Sequence, residues 1–203
     1  MAAVTYDEST ALVVVDVQND FADPAGSLSV PGAEQVIPII NEEIEAARAA
    51  GAPIVYTQDW HPPDTPHFVS GGGPWPPHCV RDTWGAELHP DLVVAGPSIH
   101  KATGDEDGYS GFTMRHATTG EDRPTGLHAF LQEHGAERVV IVGLALDYCV
   151  KESALDALEL GYREVIVPRD ATAPVEVDPG DGARAEAEIA AAGARIVSSR
   201  PVA

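Results

Sequence analysis

The chain reads as an α/β protein, a mostly parallel sheet covered by helices on both faces in three layers. Three observations predict this. Short, uniformly apolar runs of β-formers recur, as in A-L-V-V-V at Ala11 to Val15 and V-V-I-V at Val139 to Val142. Runs that short and that uniform suit strands buried on both faces. Stretches of helical periodicity fall between the runs, and alternation of the two implies a mostly parallel sheet. The 203 residues show no linker-like break in composition, so positions 1–203 are read as one domain.

Taken in order, Ala11 to Val15 is the first strand, and it ends at Asp16. From Glu34 to Ala50 apolar residues recur at Val36, Ile37, Ile40, Ile44 and Ala47, a helix stopped by Gly51. Pro38 falls in its first turns, where proline is tolerable. Pro53 to Thr57 is a second strand. Positions 58–90 have no periodicity and are rich in Pro, Gly, His and Trp; a loop that long inside a compact domain is usually functional. Leu92 to Ala95 reads as a third strand and Pro124 to His134 as a helix before Gly135. Val139 to Val142 is the central strand. Gly143 permits a bend, and helical spacing from Cys149 runs on to Gly161. Glu164 to Pro168 is a strand, roughly Gly182 to Ala192 a helix, and Arg195 to Ser198 the last strand.

The formal net charge of −20 argues against nucleic acid and anionic membranes as partners. No apolar segment approaches a membrane span and the N-terminus lacks a basic-then-apolar leader, so the cytoplasm is the expected location. The sequence leaves room for a homo-oligomer. Two distant cysteines do not suggest a disulfide framework. Lysine is rare, occurring at Lys101 and Lys151 alone, so each is conspicuous.

Cys149 stands at a strand-to-helix junction. Orphan N–H groups of a helix start favour thiolate over thiol and can hold an oxyanion. The plainer alternative is a free cysteine packed under a helix. Asp16 follows the first strand and Lys101 lies a few residues past Leu92 to Ala95. In parallel sheets ligands bind beyond the carboxyl ends of strands. Alone, Asp16 is a turn residue and Lys101 a solvated surface lysine. Together with Cys149 they complement one another as base, cation and thiol.

A second constellation lies in the loop. Asp59 and His61 are one residue apart in Q-D-W-H-P-P, and alternate residues of an extended segment point the same way. His67 and then His78 follow, the latter in P-W-P-P-H-C. One Asp and three His suit a borderline transition metal with coordination positions left open. Histidines scattered through a flexible surface loop are the alternative. Cys79 is the less apt ligand, and His89, His100, His116, His128 and His134 are left unassigned.

These segments resemble the nicotinamidases (pyrazinamidases) of the isochorismatase-like cysteine hydrolases. The matching stretches are D-V-Q-N-D-F at Asp16 to Phe21, T-Q-D-W-H-P at Thr57 to Pro62 and W-P-P-H-C-V at Trp75 to Val80. K-A-T at Lys101 to Thr103, Y-S-G-F at Tyr109 to Phe112 and G-L-A-L-D-Y-C-V at Gly143 to Val150 complete the order. The resemblance implies a six-stranded parallel sheet flanked by helices. It implies Asp16, Lys101 and Cys149 as a catalytic triad, and Asp59, His61, His67 and His78 around one divalent transition ion such as zinc, iron or manganese. Phe21, Trp75 and Tyr109 match positions that wall the substrate ring. The backbone N–H groups of Ala145 and Cys149 match the oxyanion hole, with a cis peptide before the alanine. Leu146 departs from the pattern, since many members carry Thr there, and the Gly71 to Gly73 run is a further local variation.

The implied reaction hydrolyses nicotinamide to nicotinate and ammonia through a thioester, a step of NAD salvage, with pyrazinamide as a second substrate. Two other readings compete: a metal-free amide or carbamoyl hydrolase of the same superfamily, and a non-catalytic binding relative. The Asp/His loop argues against the first and the intact Asp–Lys–Cys set against the second.

Overall fold

A computed structural model describes residues 4–199. The strand β1 (Thr10–Val15) lies at the centre of the sheet, and every one of its residues is buried. It pairs in parallel with β2 (Ile54–Asp59) on one side and with β7 (Arg138–Leu144) on the other. Beyond β2 lies β3 (Ser98–Lys101); beyond β7 lie β8 (Glu164–Pro168) and β10 (Arg195–Val197). The order is thus β10-β8-β7-β1-β2-β3, six parallel strands, with the two-residue β9 (Thr172–Ala173) beside the end of β7.

Side-chain alternation splits the core into two layers. Leu12 and Val14 of β1 pack with Ile37, Ile40 and Ile44 of helix α2 (Ala33–Ala49) on one face. Ala11, Val13 and Val15 face the other layer, with helices α3 (Leu127–Glu133), α4 (Lys151–Glu159) and α5 (Asp181–Ala192). Helices therefore cover both faces, as the alternation of elements predicts. Pro38 sits in the second turn of α2, on its exposed face, where water can take the carbonyl it leaves without a donor.

The strand order reverses between β1 and β7. That reversal opens a crevice at their carboxyl ends. Gly143 faces Val15 there, and a Cβ on Gly143 would lie 2.1 Å from the Val15 carbonyl oxygen. Only glycine lets the two chains run this close at its φ of 113°.

Three expectations are corrected. Leu92 to Ala95 is not a strand; the edge strand is β3, three residues further on, and Lys101 is its last residue. An edge strand with exposed positions needs no apolar run, whereas Leu92 is buried as a loop residue and Val93 presents its carbonyl to the Tyr56 hydroxyl at 2.8 Å. The helix expected from Pro124 starts at Leu127. Pro124 instead ends β6 (Asp122–Pro124) in a small antiparallel sheet with β4 (Glu106–Asp107) and β5 (Thr113–His116). These strands are short and polar, so no periodicity announces them. Finally, the regular helix expected from Cys149 onward starts at Lys151, and Cys149 stands just before it at the strand-to-helix junction. It lies inside a wide π-type turn, Leu146–Val150, that runs into α4. Such turns concentrate at functional sites. Among the described residues no helix is long and apolar enough to cross a membrane.

Candidate active site

Asp16, Lys101 and Cys149 meet at the crevice. Each leaves the carboxyl end of a strand: Asp16 follows β1, Lys101 ends β3, and Cys149 follows β7. Asp16 takes the left-handed region at φ 49°, which turns its side chain back over the strand ends. Asp16 Oδ2 is 3.0 Å from Lys101 Nζ without an in-line hydrogen bond, so the contact is an ion pair. Its Oδ1 accepts from the Thr57 hydroxyl at 2.7 Å. Lys101 Nζ is 3.7 Å from Cys149 Sγ and also pairs with Asp59 Oδ1. A carboxylate oxygen of each aspartate and the Cys149 sulfur lie within 4.8 Å of one another. All four side chains are buried.

The electrostatics separate the two carboxylates. Burial pushes Asp16 up to about 6 and the Asp59 charge adds to it, against the pull of Lys101. Burial also acts to raise Asp59, but Lys101, His61 and His78 outweigh it and leave Asp59 at about 2. Asp59 is thus a fixed negative charge and Asp16 the group that exchanges a proton near neutrality. Lys101 stays an ammonium: burial opposes its charge, and the two aspartates more than restore it. Burial, with Asp16 and Asp59, pushes the Cys149 thiol well above its usual range despite Lys101. The resting sulfur is therefore a thiol facing a base, not the thiolate that a helix start alone suggests.

The loop after β2 brings His61, His67 and His78 together, one ring nitrogen of each within 4.8 Å of the others. His61 and His67 stack with centroids 4.8 Å apart, and His78 stands edge-on to both. Asp59 points one oxygen at Lys101 and the other, Oδ2, at His61 Nε2, 3.8 Å away. So the three histidines converge, and Asp59, in the other cluster, reaches them through His61. Both ring nitrogens of His61 are buried without a hydrogen-bond partner among the described residues. Burial holds His61 down to about 4, and so neutral with lone pairs available. The Nδ1 of His78 is 2.7 Å from the Pro76 carbonyl, which fixes the proton there and leaves Nε2 as a donor atom. Three converging imidazoles beside a carboxylate, with buried nitrogens on His61 that have no hydrogen-bond partner among the described residues, fit a borderline divalent ion.

Residues of both clusters line one small cavity. Phe21, Trp75 and Tyr109 line it, together with Ala145 and Cys149. The Leu144–Ala145 peptide is cis. Trp75 Nε1 donates to the Tyr109 hydroxyl at 3.0 Å.

Several residues of the site went unread in the sequence. Tyr148 packs edge-on to Trp75 and near Tyr109, with centroids 5.2 Å away in each case. Phe68 is fully buried against His61 and His78. Gln18 donates to the carbonyls of Asp59 and Ala86 at 2.8 and 2.9 Å and accepts from the Asp59 N–H at 2.8 Å. Asp20 accepts from the Cys79 N–H at 2.7 Å, and Asn19 donates to the Trp84 carbonyl at 2.7 Å. The polar residues of D-V-Q-N-D-F thus strap the histidine loop to the strand ends. Their signal was their place in that motif, which carries no hint of what each bonds to.

The family model described as Isochorismatase domain matches residues 10–200. The chain is similar to the nicotinamidase of Escherichia coli, at 36% identity over 92% of this chain and 93% of that protein. The nicotinamidase/pyrazinamidase of Mycobacterium tuberculosis is 36% identical over 83% and 88%. Among solved structures, the pyrazinamidase of Pyrococcus horikoshii in complex with zinc superposes with a TM-score of 0.82 at 42% identity, covering 94% of this chain and 99% of that one. PnC1 from L. infantum in complex with nicotinate gives 0.85 at 37%, covering 98% and 97%.

Proposed function

The chain belongs to the isochorismatase family and is an amide hydrolase, and from that premise we propose that its substrate is nicotinamide, cleaved to nicotinate and ammonia with a divalent ion in the histidine cluster. One observation carries the reading. A single small cavity is lined by the Cys149 thiol and Ala145, by His61, His67 and His78, and by the rings of Phe21, Trp75 and Tyr109. A flat ring with a carboxamide at one side and a basic nitrogen at the other matches that layout. Bound nicotinate in a relative's structure and zinc in another's lend support. Pyrazinamide, with a nitrogen in the same ring position, is the expected second substrate.

In this reading Asp16 takes the thiol proton as Cys149 Sγ forms its bond to the carboxamide carbon. The C=O electron pair moves onto oxygen, and the N–H groups of Ala145 and Cys149 receive the oxyanion. Lys101 compensates the negative charge that passes from Asp16 to sulfur and oxygen. When the oxyanion collapses, the C–N bond breaks and Asp16 returns its proton to the leaving nitrogen, giving ammonia and an acyl thioester. Asp16, again a carboxylate, then deprotonates a water that attacks the thioester. Nicotinate leaves and the thiol is restored. His61, His67, His78 and Asp59 would hold the ion, which would supply a Lewis-acid contact for the ring nitrogen. Phe21, Trp75 and Tyr109 keep the ring in plane and water away from the thiol.

The test is ammonia release from nicotinamide and from benzamide, which keeps the ring and amide but lacks the ring nitrogen, alongside metal analysis of the purified protein. Nicotinamide should be hydrolysed and benzamide should be slower by at least a hundredfold, since full positioning of well-oriented reactants is worth about 7–11 kcal/mol. Equal turnover of both amides removes the ring-nitrogen contact from the proposal; no ammonia from nicotinamide removes the substrate.

A further inference from the structure

The small sheet β4–β6 takes no part in the chemistry above, yet it delivers a carboxylate to the histidine cluster. Asp107 ends β4, and its register against Arg115 of β5 fixes where it points. Its Oδ1 lies 2.6 Å from His67 Nδ1 and accepts the Gly108 N–H at 2.8 Å. The His67 side chain is 4% exposed and that of Asp107 45%, so the carboxylate reaches a buried ring from the rim. His67 Nδ1 lies off the line an N–H bond needs, and it has no other hydrogen-bond partner among the described residues. Asp107 is therefore the polar group that sets this ring's direction. The other rings are held differently. His78 is fixed by the Pro76 carbonyl, while His61 has no hydrogen bond on either nitrogen and leans on His67 with 14° between the planes. Whatever steadies His67 steadies His61.

We propose that Asp107 is a positioning residue for the metal site, holding the His67 imidazole at Nδ1 so that Nε2 faces the ion, and supporting His61 through the stacked pair. The proposal rests on the metal-site reading above. A carboxylate on the outer nitrogen of a ligating histidine fixes its tautomer and makes it a stronger donor. The next two residues, Gly108 and Tyr109, line the cavity, so one short segment sets both a ligand's direction and a ring wall.

Cobalt(II) is the probe. It is titrated into metal-stripped wild-type protein, Asp107→Ala, Asp107→Asn and the control Asp122→Asn, an exposed residue of the same sheet paired with Arg115. The dissociation constant comes from chelator competition and the ligand geometry from the visible spectrum of bound cobalt. Asp107→Ala should bind about 10- to 100-fold more weakly with an altered spectrum, as loss of such a partner does. Asp107→Asn should fall between, because its amide oxygen keeps a close polar contact with Nδ1 but not the charge. Asp122→Asn should match wild type. Wild-type affinity and spectrum in Asp107→Ala overturn the proposal, as does equal weakening in Asp122→Asn, which would trace the effect to the sheet and not to this carboxylate. If wild-type protein binds no cobalt, the metal-site reading falls first and this proposal with it.

Discussion

Asp16, Lys101 and Cys149 each stand at or beyond the carboxyl end of a parallel strand, whereas His67 and His78 stand among prolines and turns with no ladder around them. The first group is placed by sheet register: Val15 opposite Gly143 and Asp59 opposite Lys101 leave the side chains no choice of neighbour. The second is placed by individual side-chain bonds from Gln18, Asn19 and Asp20 to loop backbone. Even the fit is local: at Gly85 a Cβ would meet Asp20 Oδ2 at 2.0 Å. A site that lasts as long as the core does thus adjoins one that depends on a handful of polar contacts. Asp59 belongs to both, the last residue of β2 and the neighbour of His61.

The largest effect should come from the strand-end group. Cys149→Ala removes the nucleophile and should cut turnover by on the order of 10⁶-fold, the scale of losing a hydrolase nucleophile. Because the histidines are held independently, metal binding and thermal midpoint should stay near wild type. Cys79→Ala should keep its activity. Cys79 is fully buried beside the loop, but what the site uses is its backbone N–H on Asp20 and its carbonyl on the His61 N–H. An acyl group trapped on Cys79 in a mass spectrum would reverse the assignment.

A smaller and opposite effect should follow from cutting the strap. Gln18→Leu has similar volume but leaves the Asp59 N–H without its partner and the Asp59 and Ala86 carbonyls without this donor, at about 1–3 kcal/mol for each group left unsatisfied. Metal affinity should drop, while the rate at which an alkylating agent reaches Cys149 should change little. If alkylation accelerates as much as metal affinity falls, the two groups are not independent and the contrast drawn above is wrong.

The same contrast explains what was legible in the sequence. The strands that carry Asp16 and Cys149 are continuous apolar runs, and their ends could be read directly. Lys101 was placed beyond the wrong strand, because its own strand is an edge with exposed Ser98 and His100 and has no apolar signature. The three histidines could be counted but their convergence could not be derived from spacing; resemblance supplied it. Tyr148 and Gln18 went unread because their partners are distant rings or backbone atoms, and Phe68 because it packs on histidines within an aperiodic loop; none of these leaves a periodic trace.

The finest test separates the two aspartates by pH. Asp16 is held up at about 6, by burial first. A base must be ionised to take the thiol proton, so kcat/KM should fall about tenfold per pH unit below 6. Stability runs the other way. A raised folded-state value favours the protonated carboxyl, so this contribution is fully present below the unfolded value of 3.8 and is lost as pH rises through 6. Asp59, left at about 2 because Lys101 and the histidines outweigh its burial, has the opposite sign. Its contribution is present above 3.8 and is lost only as pH falls toward 2. Between pH 4 and 6 the urea midpoint of wild-type protein should therefore carry a decline that Asp16→Asn lacks, over the same interval in which wild-type activity rises. An activity profile flat down to pH 4.5 would mean that Asp16 is not the group that takes the proton. A decline in midpoint shared by Asp16→Asn would mean that the stability change belongs to another carboxylate.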